Sequence, residues 1–266
     1  MQELNCSNKI YIDCTLGVSG NMIIGAFIHM GFPLEVLQEE VNKVLRKDSY
    51  RFIVKKLPIP SGEITYFNTE ECFLTDNEIE EDKKHIKEIE VHKELALEVH
   101  RFIKAHEVIG LLEKSSLKDN IKAITLKAFR LLSEAKAMAH QCHLTEVSFS
   151  REGITDTLID IIGAATALDY YNIKKVSASP LNLGSGRIIL PHREMDIPAP
   201  MTRILLKGKP CFSNELKGER VTPTGAAIIS ALADEFILPT EICYYKIGYG
   251  AATEEADING ALKIML

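Results

Sequence analysis

The feature that most constrains the fold is an apolar run at residues 148–165 that contains two carboxylates. Asp156 and Asp160 are four positions apart, so on a helix they lie on one face. Gly153, Gly163 and Ala167 continue this face with small side chains, which would let other backbone or a ligand come close. The adjacent face is apolar and should point to the core; it consists of Ile154, Leu158, Ile161, Ile162, Ala165 and Leu168.

The two aspartates need partners if they are half-buried. Aspartate is a poor residue in the middle of a helix, and burying its charge without a partner costs free energy. The pair therefore indicates a cation, a Lys or Arg, or backbone donors. The alternative is that both acids are stabilised by the dipole near the helix N-terminus, which suits Asp156 better than Asp160. Both explanations stay open.

Composition limits the class of protein. The chain has 266 residues and a formal net charge of −6, so nothing electrostatic favours nucleic acid or an anionic membrane as a partner. The six cysteines form no CxxC pair, which is typical of a reducing cytoplasm. No signal peptide or membrane-length apolar run is evident, so we expect a soluble, cytoplasmic protein.

Helices and strands alternate along the chain. We expect strands at 10–13, 51–57, 64–74, 175–179, 186–190, 241–248 and 261–266. The alternating segments 51–57 and 64–74 are expected to pair across the turn at 60–62. Helices are expected after residue 19 or 20, from 33, over 78–106, over 118–140, around Asp156, at 200–207 and from 223. This order predicts an α/β or α+β fold, with helices packed on a mixed sheet. We treat 1–266 as one domain, with a possible subdivision at 1–75, 76–145 and 146–266.

The first candidate site is the turn that follows the first strand. Asp13 ends the strand, and a glycine-containing loop leads to a helix that begins near Ser19, Gly20 and Asn21. Backbone N–H groups at a helix start attract phosphate, and Asp13 is suited to a metal ion or a ribose hydroxyl. The loop has neither a Walker A nor a GxGxxG pattern. A tight turn that needs glycine only for geometry is the alternative.

The second candidate site is at residues 218–225, GERVTPTG. Thr222 is a suitable N-cap before Pro223, and Glu219, Thr224 and Gly225 surround the same helix start. This is a second possible anion site, although capping alone explains Thr222. A weaker candidate is LGSGR at 183–187, where Arg187 could contact a phosphate or the glycines could form a hairpin turn.

The histidines give weaker evidence for a functional site. His192 follows a proline in an apolar segment and is a candidate ligand or proton carrier, or an exposed loop residue. His140 and His143 could bind a metal, but histidines near a helix end more often interact with its dipole. A solvated helix face is the favoured explanation for four others: His85, His92, His100 and His106.

Several segments resemble one family. Residues 148–165 read SFSREGITDTLIDIIGAA, similar to HFHEVGAVDSIVDIVGAA of the LarC nickel insertion proteins. Residues 10–32 resemble the opening of that family, LYLDCFSGISGDMFLGALLDLG. Four more segments match in family order: ASPLNLGSGRI, PHREMDIPAPMT, GERVTPTGAAII and KIGYGAAT. The resemblance extends from about residue 9 to the end of the chain.

The resemblance implies a function. The family inserts nickel into a pyridinium bis-thiocarboxylate mononucleotide in a CTP-dependent step, as a nickel chelatase or cyclometallase of the lyase class. It implies metal or proton handling by Asp13, Asp156, Asp160 and His192. Phosphate would be held by the 19–21 loop and the 219–225 segment, and CTP would bind with a divalent metal. Family members also carry a C-terminal nucleotide-binding domain, which here would be a separate polypeptide; a homo-oligomer is a further possible assembly.

The chain differs from the family at several positions where the family has potential metal ligands. Ser148 and Ser150 stand where the family has histidines, Arg151 stands at a glutamate, and Asn21 stands at an aspartate. Serine is a poor ligand for borderline metals, and Arg151 would repel a divalent cation and attract a phosphate. A diverged, non-catalytic nucleotide- or phosphate-binding protein is therefore the alternative function.

Overall fold

A computed structural model describes residues 8–72, 102–190, 193–238 and 244–266. In these ranges the helices longer than one turn of 3₁₀ are α1 (Gly20–His29), α2 (Leu34–Val41), α3 (Ala105–Lys114), α4 (Asp119–His140), α5 (Arg151–Tyr170), α6 (Pro200–Leu205) and α7 (Pro223–Leu232). None of the described helices is both long and apolar enough to cross a membrane.

The described strands form one large sheet and several short pairs. The large-sheet strands are β1 (Lys9–Asp13), β2 (Tyr50–Ile59), β3 (Gly62–Glu71), β6 (Lys175–Ala178), β13 (Glu235–Phe236), β14 (Ile247–Ala251) and β15 (Ala261–Met265). The short pairs are formed by β4 (Phe102–Lys104), β5 (Ser148–Ser150), β7 (Leu181–Asn182), β8 (Gly184–Ser185), β9 (Arg187–Leu190), β10 (Arg193–Asp196), β11 (Cys211–Phe212) and β12 (Gly218–Glu219).

The large sheet is mixed, which confirms the predicted fold class. Its order is β13-β6-β1-β15-β14-β3-β2. β1, β6, β13, β14 and β3 run in one direction, while β15 and β2 are antiparallel to their neighbours. The carboxyl ends of five strands therefore meet at one edge of the sheet. Strands from the start and the end of the chain share this sheet.

Helix α1 lies unusually close to the sheet. A methyl group added to Gly250 of β14 would come within 1.8 Å of the Met22 carbonyl oxygen, and one on Gly248 within 2.0 Å of the Ala26 carbonyl oxygen. The glycines thus let the helix backbone rest on the strand. The strand predicted at 241–248 overlaps β14 at 247 and 248, and residues 241–243 lie outside the described ranges. β14 continues to Ala251 beyond the predicted end, because glycine weakens the sequence signal for a strand.

Helix α5 is surrounded by helices. It contacts α1, α2, α4 and α7, so nearly all of its circumference is buried rather than one face. A methyl group on Gly163 would come within 2.6 Å of Ile24 Cδ1, so the predicted face of small residues packs against α1. The neighbours of Gly163 are the side chains of Ile24 and Leu37, so apolar side chains rather than other backbone or a ligand approach this face there.

Other expectations compare as follows. The hairpin of β2 and β3, the helix at α4 and the N-cap of α7 are confirmed. The prediction of an exposed helix over 78–106 is wrong at residues 102–104, the first part of this range that the structure describes. Residues Phe102–Lys104 form a strand because they pair with Ser148–Ser150, and the helix begins only at Ala105.

The cysteines in the described ranges are free thiols, and Cys6 and Cys243 lie outside them.

Candidate functional site

The candidate site lies where the carboxyl ends of the parallel strands meet. Open α/β sheets bind ligands at such an edge, because loops and helix starts converge there. Asn21, in the first turn of α1, ties two of these strands together. Its Nδ2 donates to the carbonyl oxygens of Phe67, within β3, at 3.3 Å and of Ala252, directly after β14, at 3.4 Å. Its Oδ1 accepts a hydrogen bond from Ser19.

The two predicted helix starts are neighbours in the structure. The Thr222 N–H donates to the Val18 carbonyl oxygen at 3.2 Å. A methyl group on Gly225 would come within 2.4 Å of that same oxygen and within 2.9 Å of Ser19 Cα. The Thr222 hydroxyl caps α7 by accepting the Gly225 N–H at 3.1 Å. The segments at 19–21 and 222–225 therefore lie side by side, although 200 residues separate them along the chain.

Asp160 is the most unusual acid among the described residues. It is only 4% exposed, and its Oδ1 has no hydrogen-bond partner in the described part of the chain. Burial raises the pKa of its carboxyl well above the usual range, and the charge of Asp156 raises it further. A methyl group on Gly20 would lie 2.2 Å from Asp160 Oδ2, so this carboxyl sits directly against the first residue of α1.

Asp156 has a different environment one turn earlier on α5. It is exposed, and its Oδ1 accepts a hydrogen bond of 2.7 Å from the Thr69 hydroxyl near the end of β3. Asp156, Asp160, Asn21 and the start of α1 thus share one region of the molecule. The explanation by a helix N-terminal dipole suits Asp156 alone, because Asp160 is ten residues into a helix that begins at Arg151.

Asp13 contacts Thr15 and Lys263. Its carboxylate accepts hydrogen bonds from the Thr15 hydroxyl at 2.6 Å and the Thr15 N–H at 3.1 Å, and lies 3.1 Å from Lys263 Nζ. Burial would raise its pKa, but these hydrogen bonds and the charge of Lys263 outweigh burial, so the pKa is lowered. Asp13 pairs in register with Lys263, and the buried Ile12 occupies the alternate face. A strand-end acid, a helix-start loop and two acids on one helix face each need a partner, so the sequence predicts that Asp13 shares one cleft with Asn21, Asp156 and Asp160. For Asp13 this stays a prediction.

The predicted metal ligands are only partly assembled by the described residues. In ranges 8–72, 102–190, 193–238 and 244–266, no group of three or more His, Cys, Asp and Glu side chains is placed to hold a metal ion. His192 lies outside these ranges, as do His85, His92 and His100. His143 caps the following 3₁₀ turn by accepting the Thr145 N–H, which differs from the expected interaction with the dipole of the preceding helix.

Ser148 and Ser150 point to the same side of β5. Both are partly exposed while Phe149 between them is buried, as alternation in a strand requires. Ser150 also caps α5 by accepting the Gly153 N–H at 3.2 Å. Arg151 is exposed at the first position of that helix. The three departures from the family pattern therefore lie at the start of the helix that carries Asp156 and Asp160.

Glu219 and Arg220 each have a buried side-chain atom without a hydrogen bond in the described part of the chain. Glu219 Oε1 and Arg220 Nε are buried and lack hydrogen-bond partners among the described residues. Burial raises the pKa of Glu219, although its hydrogen bond with the Ala199 backbone opposes the shift. Sequence reasoning selected Arg187 instead of Arg220. Arg187 lies on an exposed hairpin, in ion pairs with Glu194 and Asp196.

Comparisons with known proteins identify relatives. The family model described as nickel insertion protein matches residues 10–266. A Geotalea daltonii protein whose name refers to nickel insertion is 34% identical over 259 residues, which covers 97% of this chain and 60% of the relative. The pyridinium-3,5-bisthiocarboxylic acid mononucleotide nickel insertion protein of Clostridium kluyveri is 32% identical over 260 residues, 97% of this chain and 61% of the relative.

The chain spans about three fifths of the length of these curated relatives. No solved structure matches it. The family model covers nearly all of the chain, including both helix starts and the helix of Asp156 and Asp160. This chain therefore belongs to the nickel insertion protein family.

Proposed function

We propose that this chain takes part in inserting nickel into a pyridinium mononucleotide that carries two thiocarboxylates. The proposal follows the name of the Clostridium kluyveri relative, which covers 97% of this chain. Nickel and the mononucleotide are both substrates of this reaction. The activity is that of a nickel chelatase or cyclometallase, in which the nickel ion ends bound to atoms of the mononucleotide.

The observation that carries the proposal is the buried Oδ1 of Asp160, which has no hydrogen-bond partner among the described residues, with Asp156 one helical turn away. A buried acid without a partner is unfavourable unless a ligand compensates it, and a divalent cation would do so. Carboxylate oxygens hold nickel less well than sulfur or imidazole ligands. Two aspartates therefore suit a site that receives nickel and passes it to the softer sulfur atoms of the substrate. Asp13 and His192 are proposed as further metal or proton handlers, on the family resemblance.

The other end of the substrate needs an anion site. We assign its phosphate to the two adjacent helix starts, with Ser19, Gly20 and Asn21 on one side. On the other side the proposed set is Glu219, Thr222, Thr224 and Gly225. The hydrogen bonds between Val18 and the segment 220–222 support this assignment, because they keep the two helix starts together.

Three further parts of the proposal concern the setting of the reaction. CTP with a divalent metal is the proposed co-substrate. A separate polypeptide that corresponds to the remaining part of the longer relatives is a proposed partner. The reaction is placed in the cytoplasm, in keeping with free thiols at the described cysteines.

A second candidate function is supported by the departures at residues 148, 150 and 151. A nucleotide- or phosphate-binding protein that has lost metal transfer would tolerate hydroxyls and a guanidinium at these positions. Such a protein would keep the anion site at the two helix starts and would bind nickel weakly. The two functions therefore differ in their dependence on nickel.

Calorimetric titration of nickel separates the two functions. Wild type is compared with Asp160→Asn and with the triple variant Ser148→His, Ser150→His, Arg151→Glu. Nickel insertion predicts binding by wild type that Asp160→Asn removes, while Asp169→Asn on the same helix leaves it unchanged. The second function predicts weak binding that the triple variant strengthens, and loss of this gain when Asp160→Asn is added. Mass spectrometry of the mononucleotide after incubation with nickel and CTP then tests insertion itself.

A further inference from the structure

Thr69 connects the large sheet to the carboxylate of Asp156. Its hydroxyl donates to Asp156 Oδ1 at 2.7 Å. Thr69 lies opposite Phe52 in the β2–β3 hairpin, whose strands pair along all ten residues of each. A side chain on such a hairpin is positioned more precisely than one on a loop. The orientation of the Asp156 carboxylate is therefore set by the sheet as well as by α5.

A closed ring of contacts surrounds the two aspartates of α5. Asp160 lies against Gly20 at the start of α1, and the neighbouring Asn21 donates to the Phe67 carbonyl oxygen at 3.3 Å. Phe67 and Thr69 are two residues apart in β3, so their side chains point to the same face of the sheet. The Thr69 hydroxyl then returns to α5 at the aspartate one helical turn before Asp160. The strand thus braces both helices around one point.

The two aspartates have no positively charged partner in the described part of the chain. None of the ion pairs between described residues includes Asp156 or Asp160, whereas Asp169 on the same helix pairs with Lys118. The buried Oδ1 of Asp160 also lacks a hydrogen-bond partner there. Two acids one helical turn apart repel each other, and a bound cation would offset this repulsion. The hydrogen bond from Thr69 occupies one oxygen of Asp156 and leaves the other for such an ion.

We propose that Thr69 is a positioning residue of the nickel site, which holds the Asp156 carboxylate so that its second oxygen and the Asp160 carboxyl bind the same ion. This inference rests on the proposed function for the identity of the metal. Hydrogen bonds to metal-binding carboxylates fix their orientation, and their loss lowers metal affinity by about 10- to 100-fold. The sequence gave no signal for Thr69, because threonine is common in strands of any function.

Calorimetric titration of nickel into the 266-residue chain is the test. Thr69→Val keeps the branched shape of the side chain but removes the hydroxyl, and should weaken nickel binding by about 10-fold. Thr69→Ser keeps the donor and should bind nickel as wild type does. Thr65→Val is the matched control on the same strand, because the Thr65 hydroxyl lies 3.5 Å from His29 Nδ1, beside the last residue of α1. It should leave nickel affinity unchanged.

A double-mutant cycle distinguishes positioning of Asp156 from a general effect on the structure. With Asp156→Ala already present, Thr69→Val should alter the remaining nickel affinity by less than about two-fold. The full effect of Thr69→Val in that background would overturn the role of Thr69. Equal affinity of Thr69→Val and wild type would also overturn it, as would failure of Thr69→Ser to restore binding.

The titration of Asp160→Asn separates this inference from the proposed function. If Asp160→Asn loses nickel and Thr69→Val does not, only the role of Thr69 is overturned. If wild type binds no nickel, both are overturned. The melting temperature shows whether each variant is folded, and Thr69→Ala carries the same test if Thr69→Val is not.

Discussion

Gly20, the first residue of α1, lies directly against the carboxyl of Asp160 in α5, such that an added methyl group would come within 2.2 Å of Oδ2. This contact joins the strand-to-helix turn after β1 to the helix that carries both aspartates. It brings together two candidate segments that are about 140 residues apart in sequence. The candidate site therefore depends on the absence of a side chain at one position.

Gly20→Ala should destabilise the protein. The new methyl group must displace a buried carboxyl on a packed helix, for which a loss of about 1–3 kcal/mol is expected. Gly110→Ala in α3 is the matched control, because an added methyl group there meets no atom within 4 Å. It should gain about 0.5–1 kcal/mol from helix propensity. Denaturant unfolding of both variants tests this, and equal stability of Gly20→Ala and wild type would contradict the contact.

Asp160→Asn should stabilise the metal-free protein at high pH. The pKa of Asp160 is raised in the folded state, so the folded protein holds a proton that the unfolded chain releases above about pH 4. Stability therefore falls as pH rises from the unfolded pKa towards the folded one. Asparagine removes this loss, and we expect its melting temperature to exceed that of wild type by roughly 2–4 °C at pH 8.

Asp169→Asn is the control for this measurement. Asp169 is also on α5, but hydrogen bonds from Lys118 and Asn120 outweigh burial and lower its pKa. Its contribution to stability is present above the unfolded pKa and is lost as pH falls through the folded one. The control should therefore melt below wild type at pH 8. A melting difference for Asp160→Asn that does not change with pH would argue against a buried, protonated Asp160.

Asn21→Asp should make the protein dependent on a cation. The substitution replaces the amide donors to the Phe67 and Ala252 carbonyl oxygens by a carboxylate, so like partial charges face each other. Without added metal we expect a loss of about 1–3 kcal/mol at neutral pH. A carboxylate and two carbonyl oxygens are suitable ligands for Mg²⁺, which should restore part of the stability. Melting with and without magnesium measures both effects.

Asn214→Asp provides the comparison for Asn21→Asp. Asn214 uses its Oδ1 as an acceptor for the Leu216 N–H, a role that a carboxylate preserves. This exposed variant should melt as wild type does and should not respond to magnesium. An Asn21→Asp variant that behaves in the same way would rule out the inferred orientation of the Asn21 amide.

Asp13→Asn should weaken the protein only above acid pH. The pKa of Asp13 is lowered, so its ionised form stabilises the fold above the unfolded pKa of about 3.8, and this is lost as pH falls through the folded pKa. Asparagine keeps an acceptor for Thr15 but not the charge facing Lys263. Because Lys263 is partly exposed, water screens the pair and we expect a loss of about 0.5–1 kcal/mol at pH 7. A loss that persists at pH 2 would contradict this role.

The sequence by itself determined the local structure well. The apolar period of 148–165 predicted α5, Thr222 and Pro223 predicted the start of α7, and alternation predicted the β2–β3 hairpin. Each of these signals is local, because periodicity, capping and turn chemistry act over a few neighbouring residues. The two glycines of β14 show the limit of such signals, since they weaken the strand pattern in order to admit α1.

Only the tertiary structure decided which candidate residues meet. Asp160 became buried because α1 packs against α5, and Asp13 turned towards Lys263 because β15 pairs with β1 in that register. Arg220 and Arg187 look equivalent in sequence, yet the buried Nε of Arg220 lacks a hydrogen-bond partner among the described residues, whereas Arg187 forms ion pairs with Glu194 and Asp196. Burial and charge pairing depend on residues distant in the chain, and for that reason the sequence pattern alone did not distinguish them.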